Sequence, residues 1–288
     1  MAATIASRPA RRMRRVTAGQ LGLYVVLLAL AVVIVLPIAY MISQAFTPEQ
    51  DTQVWPIQYI PAHPTLINFA RVFSDPTLPV FRWFLNSMFA SLSITALVLL
   101  LSSLAAYAFA RLEFPLRDAI FFTLLTSLMV PGAVTLIPVF ILLRNLNFLD
   151  SPNALIWPAG ASVGGIFLLR QTFKTVPKEL DDAARVEGAS GLQILWKVYV
   201  PLAKPVYIAY GLVSVSYHWN NFLWPLIITN SVGSRPLTVG LQVFSSSDQG
   251  IDWSIITAAT LMTSGPLLVA FLLFQRQFVQ SFMRAGIR

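Results

Sequence analysis

The chain has 288 residues, of which 56% are hydrophobic and only 11% charged, with a formal net charge of +8 and no cysteine. A soluble domain carries about 25% charged residues, so these proportions exclude an ordinary water-soluble globule and point to an all-α integral membrane protein. Disulfide and thiolate chemistry are excluded, and having only His63 and His218 and no His-Glu-x-x-His pattern argues against a zinc site.

Residues 1–16 read as a basic cytoplasmic tail carrying Arg8, Arg11, Arg12, Arg14 and Arg15. Six segments within 17–276 are then long and apolar enough to span a bilayer, which takes about 20 helical residues. They are Leu21–Ile42, Leu85–Ala110, Ala119–Leu143, Ala154–Phe173, Val206–Ile228 and Ile255–Phe274. The first is too long to be the apolar core of a signal peptide, about 7–15 residues. Residues 47–83 form an external loop rich in Pro and polar residues, long enough for a small cap or a contact with an extracellular partner. The second span carries Ser87, Ala90, Ser91, Ser93, Ser102, Ser103, Ala105 and Ala106, small residues that let helices approach closely in lipid. The third holds Pro131-Gly132 and Pro138, which predict kinks. The fourth is interrupted by Pro158, Gly160, Gly164 and Gly165.

Between the fourth and fifth spans lies the polar stretch 177–201, PKELDDAARVEGASGLQILWKVYVP. Gly188 suits the left-handed residue that ends a first helix, and Ser190 with Gln193 reads as a capping box that starts a second. A helix–turn–helix held between two spans has little to pack on within its own chain, so it reads as a docking element for another protein. An ordinary amphipathic loop would show the same capping signals. Lys and Arg set the orientation: with the N-terminus inside, sixteen of the twenty lie in cytoplasmic segments, and only Arg71, Arg82, Arg144 and Arg235 lie outside. Both ends, including the tail 277–288, then face the cytoplasm. The positive residues flank apolar spans, where anionic headgroups account for them, so a nucleic acid partner is rejected.

Asp182-Ala183-Ala184, Glu187-Gly188-Ala189 and Pro201 resemble the EAA loop of ABC-importer permeases, with Asp182 in place of the usual Glu and Val200 in place of the usual Leu. Arg111-Leu112-Glu113-Phe114-Pro115 and Trp219-Asn220-Asn221-Phe222-Leu223-Trp224-Pro225 are similar to further motifs of that group. Over about 260 residues the chain resembles the smaller permease of carbohydrate importers of the maltose and glycerol-phosphate type. The resemblance implies a second, homologous permease, a homodimeric cytoplasmic ATPase that binds ATP and magnesium, and an extracytoplasmic solute-binding protein. It implies that this chain itself holds no cofactor, sits in the bacterial inner membrane, and couples to the ATPase through Asp182, Ala183, Ala184, Glu187 and Gly188. In the same family a short C-terminal tail reaches between the ATPases. Here Arg284–Arg288 is basic and lacks the Gly-rich ending, and a headgroup-binding tail is the alternative.

The middle of the fifth span reads Ser214, Ser216, Tyr217, His218, Trp219, Asn220, Asn221. Polar groups at bilayer depth face protein or a water-filled cavity. At helical spacing Tyr217, Asn220, Asn221 and Trp224 share a face and make a candidate substrate path, while His218 and Trp219 point elsewhere. Hydrogen bonding between helices is the alternative role. An enzyme is disfavoured by the lack of a Gly-x-Ser-x-Gly elbow, which leaves only a remote Ser–His pairing through His218. An ion-coupled secondary carrier is the nearer alternative. It needs ionisable groups at the midplane, and none of the six spans has one. No P-loop occurs, so ATP would be bound by a partner.

Overall fold

The computed structural model describes residues 18–52, 54–74, 78–245 and 252–286, with the side chains of 18, 245 and 276–286 left out. The basic tail 1–16, residues 287–288 and the side chains of Arg276 and Arg284 therefore lie outside the described residues. Among the described residues every regular element is helical. After α1 (Ala18–Ala45) come a loop, the short α2 (Ile67–Val72) and α3 (Val80–Arg111). Then follow α4 (Arg117–Thr126), α5 (Gly132–Asn145), α6 (Pro152–Ile156) and α7 (Val163–Lys174). The polar stretch holds α8 (Lys178–Val186), α9 (Gly191–Ile194), a π-helical turn at Leu195–Tyr199 and α10 (Val200–Leu202). The chain continues through α11 (Lys204–Trp219), α12 (Leu223–Ile228), α13 (Leu237–Gly240) and α14 (Trp253–Gly286). Among the described residues α1, α3 and α14 are long and apolar enough to cross a membrane. Two bent pairs, α4 with α5 and Gly191–Leu202 with α11, raise the number to 5 if each pair is one span. The expected fourth span is not one helix: it is divided into α6, of 5 residues, and α7, of 12.

Proline sets where the apolar segments bend. Its ring clashes with the carbonyl four residues earlier and pushes the preceding residue out of the helical region. Val130, before Pro131, is accordingly extended (φ −81°, ψ 116°), and α4 and α5 meet at 99°. The freed end of α4 tightens into a 3₁₀ turn in which the Val130 N–H donates to Ser127 O at 3.1 Å. Pro138, also expected to kink, lies inside α5 instead, so the bend belongs to Pro131 alone. The fifth segment is broken too, which the helical reading of 206–228 did not foresee. Pro225 would clash with the carbonyl of Asn221 in a continuous helix. The chain leaves the helix at Asn220, restarts at Leu223, and the Asn221 carbonyl accepts instead from Thr238 Oγ1 at 3.1 Å.

α3 is the central helix. Its small residues Ser87, Ala90, Ser91, Ser102, Ser103 and Ala106 are buried against α7, α11 and the chain after α12. α7 comes close at Gly165, where an added β-carbon would lie 2.7 Å from Ser102 Oγ and 2.9 Å from the Tyr210 ring. At the end of α3 that bears Val80, Trp83 is 1% exposed and donates to Val232 O at 2.6 Å. In the loop before α6, Asp150 accepts from the amides of Asn230 and Ser231 at 2.8 and 2.9 Å and from Ser234 Oγ. Burial alone would raise its carboxyl pKa, but these hydrogen bonds outweigh it and hold the value down at about 2.

At the opposite end of α3 the chain solves a helix-terminus problem. The last carbonyls of a helix have no partner within it. Arg111, the final residue of α3, donates from Nη2 to Phe173 O at 2.8 Å and to Val176 O, so it closes the end of α7. Its guanidinium also lies 5.2 Å from the Tyr199 ring centroid in the polar stretch. Arg170 of α7 donates from Nε to Phe109 O at 3.2 Å, pairs with Asp118 of α4 at 3.3 Å, and stacks over Phe121 at 3.9 Å. Arg111→Met keeps an apolar stem but takes the charged donor from Val176 O and from Phe173 O, which then keeps only the Val176 N–H at 3.2 Å. A hydrogen bond from a charged group is worth about 1.5–3 kcal/mol, so the thermal midpoint of the purified protein is expected to fall by several degrees. An unchanged midpoint would contradict this role.

Candidate functional site

The polar residues of the broken fifth segment meet at one cavity. It has a volume of about 660 Å³ and lies between α5, the 158–162 turn, α11 and α12. Tyr210, Ser214 and Tyr217 reach it at helical spacing from one face of α11. His218 reaches it from the same face of α11, Asn221 from the break, and Trp224 from α12. Tyr217, Asn221 and Trp224 are thus brought together, but not as one face of one helix, because α11 ends at Trp219.

Two assignments made from helical phase change. His218 lines the cavity rather than pointing away from it. Asn220 does not line it: its amide donates to Ser216 O at 2.8 Å in its own helix, and it faces an adjoining open groove of about 470 Å³ with Ser216, Tyr217 and Phe222. Trp219 does point elsewhere, donating from Nε1 to Thr263 O of α14 at 3.1 Å. Tyr210 and Ser162, joined by a hydroxyl–hydroxyl contact of 2.6 Å, were missed by the sequence reading. The spacing of seven residues from Tyr210 to Tyr217 was the signal for the tyrosine, and nothing local marked the serine.

The lining groups divide by how they are paired. Ser214 shares a 2.9 Å hydrogen bond with Thr95 of α3, and Trp224 Nε1 donates to Ala154 O at 3.1 Å. These two hold helices together. Among the described residues the side-chain amide of Asn221 and the rings of His218 and Tyr217 have no hydrogen-bond partner, although the Tyr217 and His218 rings meet edge to face at 5.1 Å. Free hydroxyl, imidazole and amide groups beside aromatic faces can meet a polyhydroxylated molecule by hydrogen bonding and ring stacking.

The second set of expected residues sits at the Arg111 end. α8 ends in a Schellman motif: the Ala189 N–H donates to Ala184 O at 2.9 Å and the Gly188 N–H to Arg185 O at 3.0 Å, with Gly188 at φ +83°. Ser190 and Gln193 form the reciprocal capping box that starts α9. The stretch does not lack packing within its own chain, contrary to the sequence reading. Ile194, Leu195 and Tyr199 are buried with Tyr107 of α3 and Leu169 and Phe173 of α7, and Ala184 and Ala189 pack against them. Asp181 is buried on the same side. The other side is open: Asp182, Ala183, Glu187 and Gly188 are exposed, as are Leu180, Leu192 and Trp196, and Val186 is 90% exposed. The polar stretch then turns into α11 through an 82° bend, so it lies across the end of the bundle.

Residues 98–284 match the family model of the binding-protein-dependent transport system inner membrane component. The chain is 33% identical over 261 residues to the arabinooligosaccharides transport system permease protein AraQ of Halalkalibacterium halodurans, covering 90% of this chain and 93% of that one. It is 36% identical over 216 residues to the lactose transport system permease protein LacG of Rhizobium radiobacter, covering 75% and 78%. It is 33% identical over 253 residues to the sn-glycerol-3-phosphate transport system permease protein UgpE of Escherichia coli, covering 86% and 90%. In fold it is similar to a chain of a bacterial ABC transporter involved in the import of the acidic polysaccharide alginate. The TM-score is 0.82 at 22% identity, over 96% of this chain and 100% of that one. The chain belongs to the family of binding-protein-dependent transport system inner membrane components, the permeases of ABC importers.

Proposed function

We propose that this chain, with a second homologous permease, forms the translocation path of an ATP-driven importer for a carbohydrate or glycerol-type solute. The observation that carries the solute reading is the cavity at the α11–α12 break, where Tyr217, His218 and Asn221 present unpaired polar groups beside Trp224. The relatives' solutes, arabinooligosaccharides, lactose and glycerol phosphate, are of the same polyhydroxylated chemistry. In this reading 17–276 is the permease domain and crosses the bilayer six times. The two bent pairs and the α6–α7 segment act as broken crossings, and both tails, 1–16 and 277–288, face the cytoplasm. An extracytoplasmic protein delivers the solute. A homodimeric ATPase, which binds the ATP and magnesium, docks on the open side of 178–197.

The coupling role rests on the division of that stretch into two sides. One is keyed into α3 and α7 through Tyr199 and Arg111, so displacement of the helices by an ATPase is transmitted to the bundle. The other presents Asp182, Ala183, Glu187 and Gly188 with open space around them. Gly188→Leu would force a branched side chain into the left-handed region, at a cost of about 1–2 kcal/mol, and place bulk on the docking side. The variant is expected to reach the membrane and assemble but to lose most solute uptake per ATP hydrolysed. Uptake at the original rate would overturn the docking assignment.

The solute role is tested separately. Asn221→Ala removes an amide that has no partner among the described residues, so the thermal midpoint and the yield of the assembled complex should stay close to those of the parent. The solute concentration for half-maximal uptake should rise several-fold. Loss of assembly with unaltered solute preference would make Asn221 a packing residue and remove it from the path.

A further inference from the structure

The loop after α1 carries a surface that the transport reading does not use. Its two ends are pinned beside the end of α1. Asn68, fully buried, donates from Nδ2 to Ala45 O at 2.9 Å and Thr47 O at 2.8 Å, and the Thr65 N–H donates to Phe46 O at 2.8 Å. A charged cluster marks the watery side of this junction, with Arg71 paired to Glu49 at 3.1 Å and Asp252 at 2.9 Å. The tip of the loop turns the other way. Tyr59 packs edge to face on Tyr40 at 5.5 Å, and Tyr40 lies five residues before the end of α1. At 1.5 Å of rise per residue this brings the tip about 7 Å back along the helix, toward the bilayer.

The tip is apolar and uncovered. Trp55 is 83% exposed and Ile60 84%, and Val54, Ile57 and Tyr59 are exposed with them. No Asp, Glu, Lys or Arg occurs from Val54 to Ala70. Exposed apolar surface of this kind marks a protein or membrane contact. Three features select the membrane. The tip folds onto α1, whose Leu21–Ile38 side chains are exposed along its length, so it continues an aliphatic surface. It lies at the level where α1 leaves its apolar stretch. Tyr and Trp beside Ile is the composition of interfacial anchors, which sink about 5–10 Å into the boundary between headgroups and acyl chains.

We infer that residues 54–60 form a lipid-interfacial anchor, with Trp55 and Ile60 inserted at the headgroup–acyl boundary beside α1. Such an anchor fixes the depth of α1 and holds the loop against the membrane, away from the mouth of the bundle. The chain has no cysteine, so a spin label at Ile60→Cys, with the partner subunits also made cysteine-free, reports this position in the complex reconstituted in lipid nanodiscs. Collision rates with oxygen, which concentrates in lipid, and with an aqueous nickel chelate give the environment. Labels at Val33→Cys and Glu113→Cys serve as the lipid and water references, and one at Trp55→Cys repeats the measurement independently. The oxygen-to-nickel ratio at 60 and 55 is expected to exceed the water reference several-fold. A ratio equal to that at 113 would show a solvated loop. Protection from both reagents would show a protein partner on the tip. Either result overturns the anchor.

Discussion

A backbone carbonyl left without its helical donor in an apolar surrounding must find another, and this requirement shapes both ends of the molecule. At the fifth segment Pro225 frees the carbonyl of Asn221, and Thr238 supplies the hydroxyl that donates to it. The helix stops at the cavity: α11 brings Tyr217 and His218, the break brings Asn221, and α12 brings Trp224. At the other end α7 stops at Lys174, and Arg111 closes its last carbonyls while lying over Tyr199. That guanidinium adds a polar tie to the joint that Tyr199 makes with Tyr107 of α3 and Phe173 of α7.

The consequence is a division of labour along α3. One end, with Trp83 and the Asp150 clamp, fixes the loops that close the bundle. The middle, lined by small residues and met closely at Gly165, brings α7 and α11 together around the cavity. The far end carries the keyed helices. A push on α8 and α9 would therefore act on α3 and α7, which meet the cavity at Val98 of α3 and at Ser162, the residue that caps the start of α7. In the proposed function this is the physical route from the ATPase-docking side to the solute path, made of packed side chains and not of loops.

How much of this was legible in the sequence follows from the range of each signal. The ends of α8 and α9 were legible because capping is local: Gly188, Ser190 and Gln193 act on backbone groups within a few residues, and the structure places the Schellman motif and the capping box there. The phase of the fifth segment was legible only as far as Trp219. Carrying it through Pro225 put Asn220 on the path, and the break turns it to the adjoining groove; His218, still within α11, lies four residues after Ser214 on the cavity face, which the spacing counted from Tyr217 overlooked. The packing of the polar stretch was not legible, because its partners Tyr107, Leu169 and Phe173 lie on spans whose mutual arrangement the local pattern does not state. The Pro131 bend was anticipated, but Pro138 gave the same signal and stays within α5.

The central claim is that the open side of 178–197 is where the ATP-hydrolysing subunit docks. Val186, 90% exposed at the end of α8, is the place to test it. A photoreactive amino acid at this position, activated in the fully assembled complex in membranes, is expected to form its covalent adduct with the ATPase subunit, with a yield that changes when ATP is bound. Adducts confined to lipid or to the second permease, at any nucleotide state, would contradict the account.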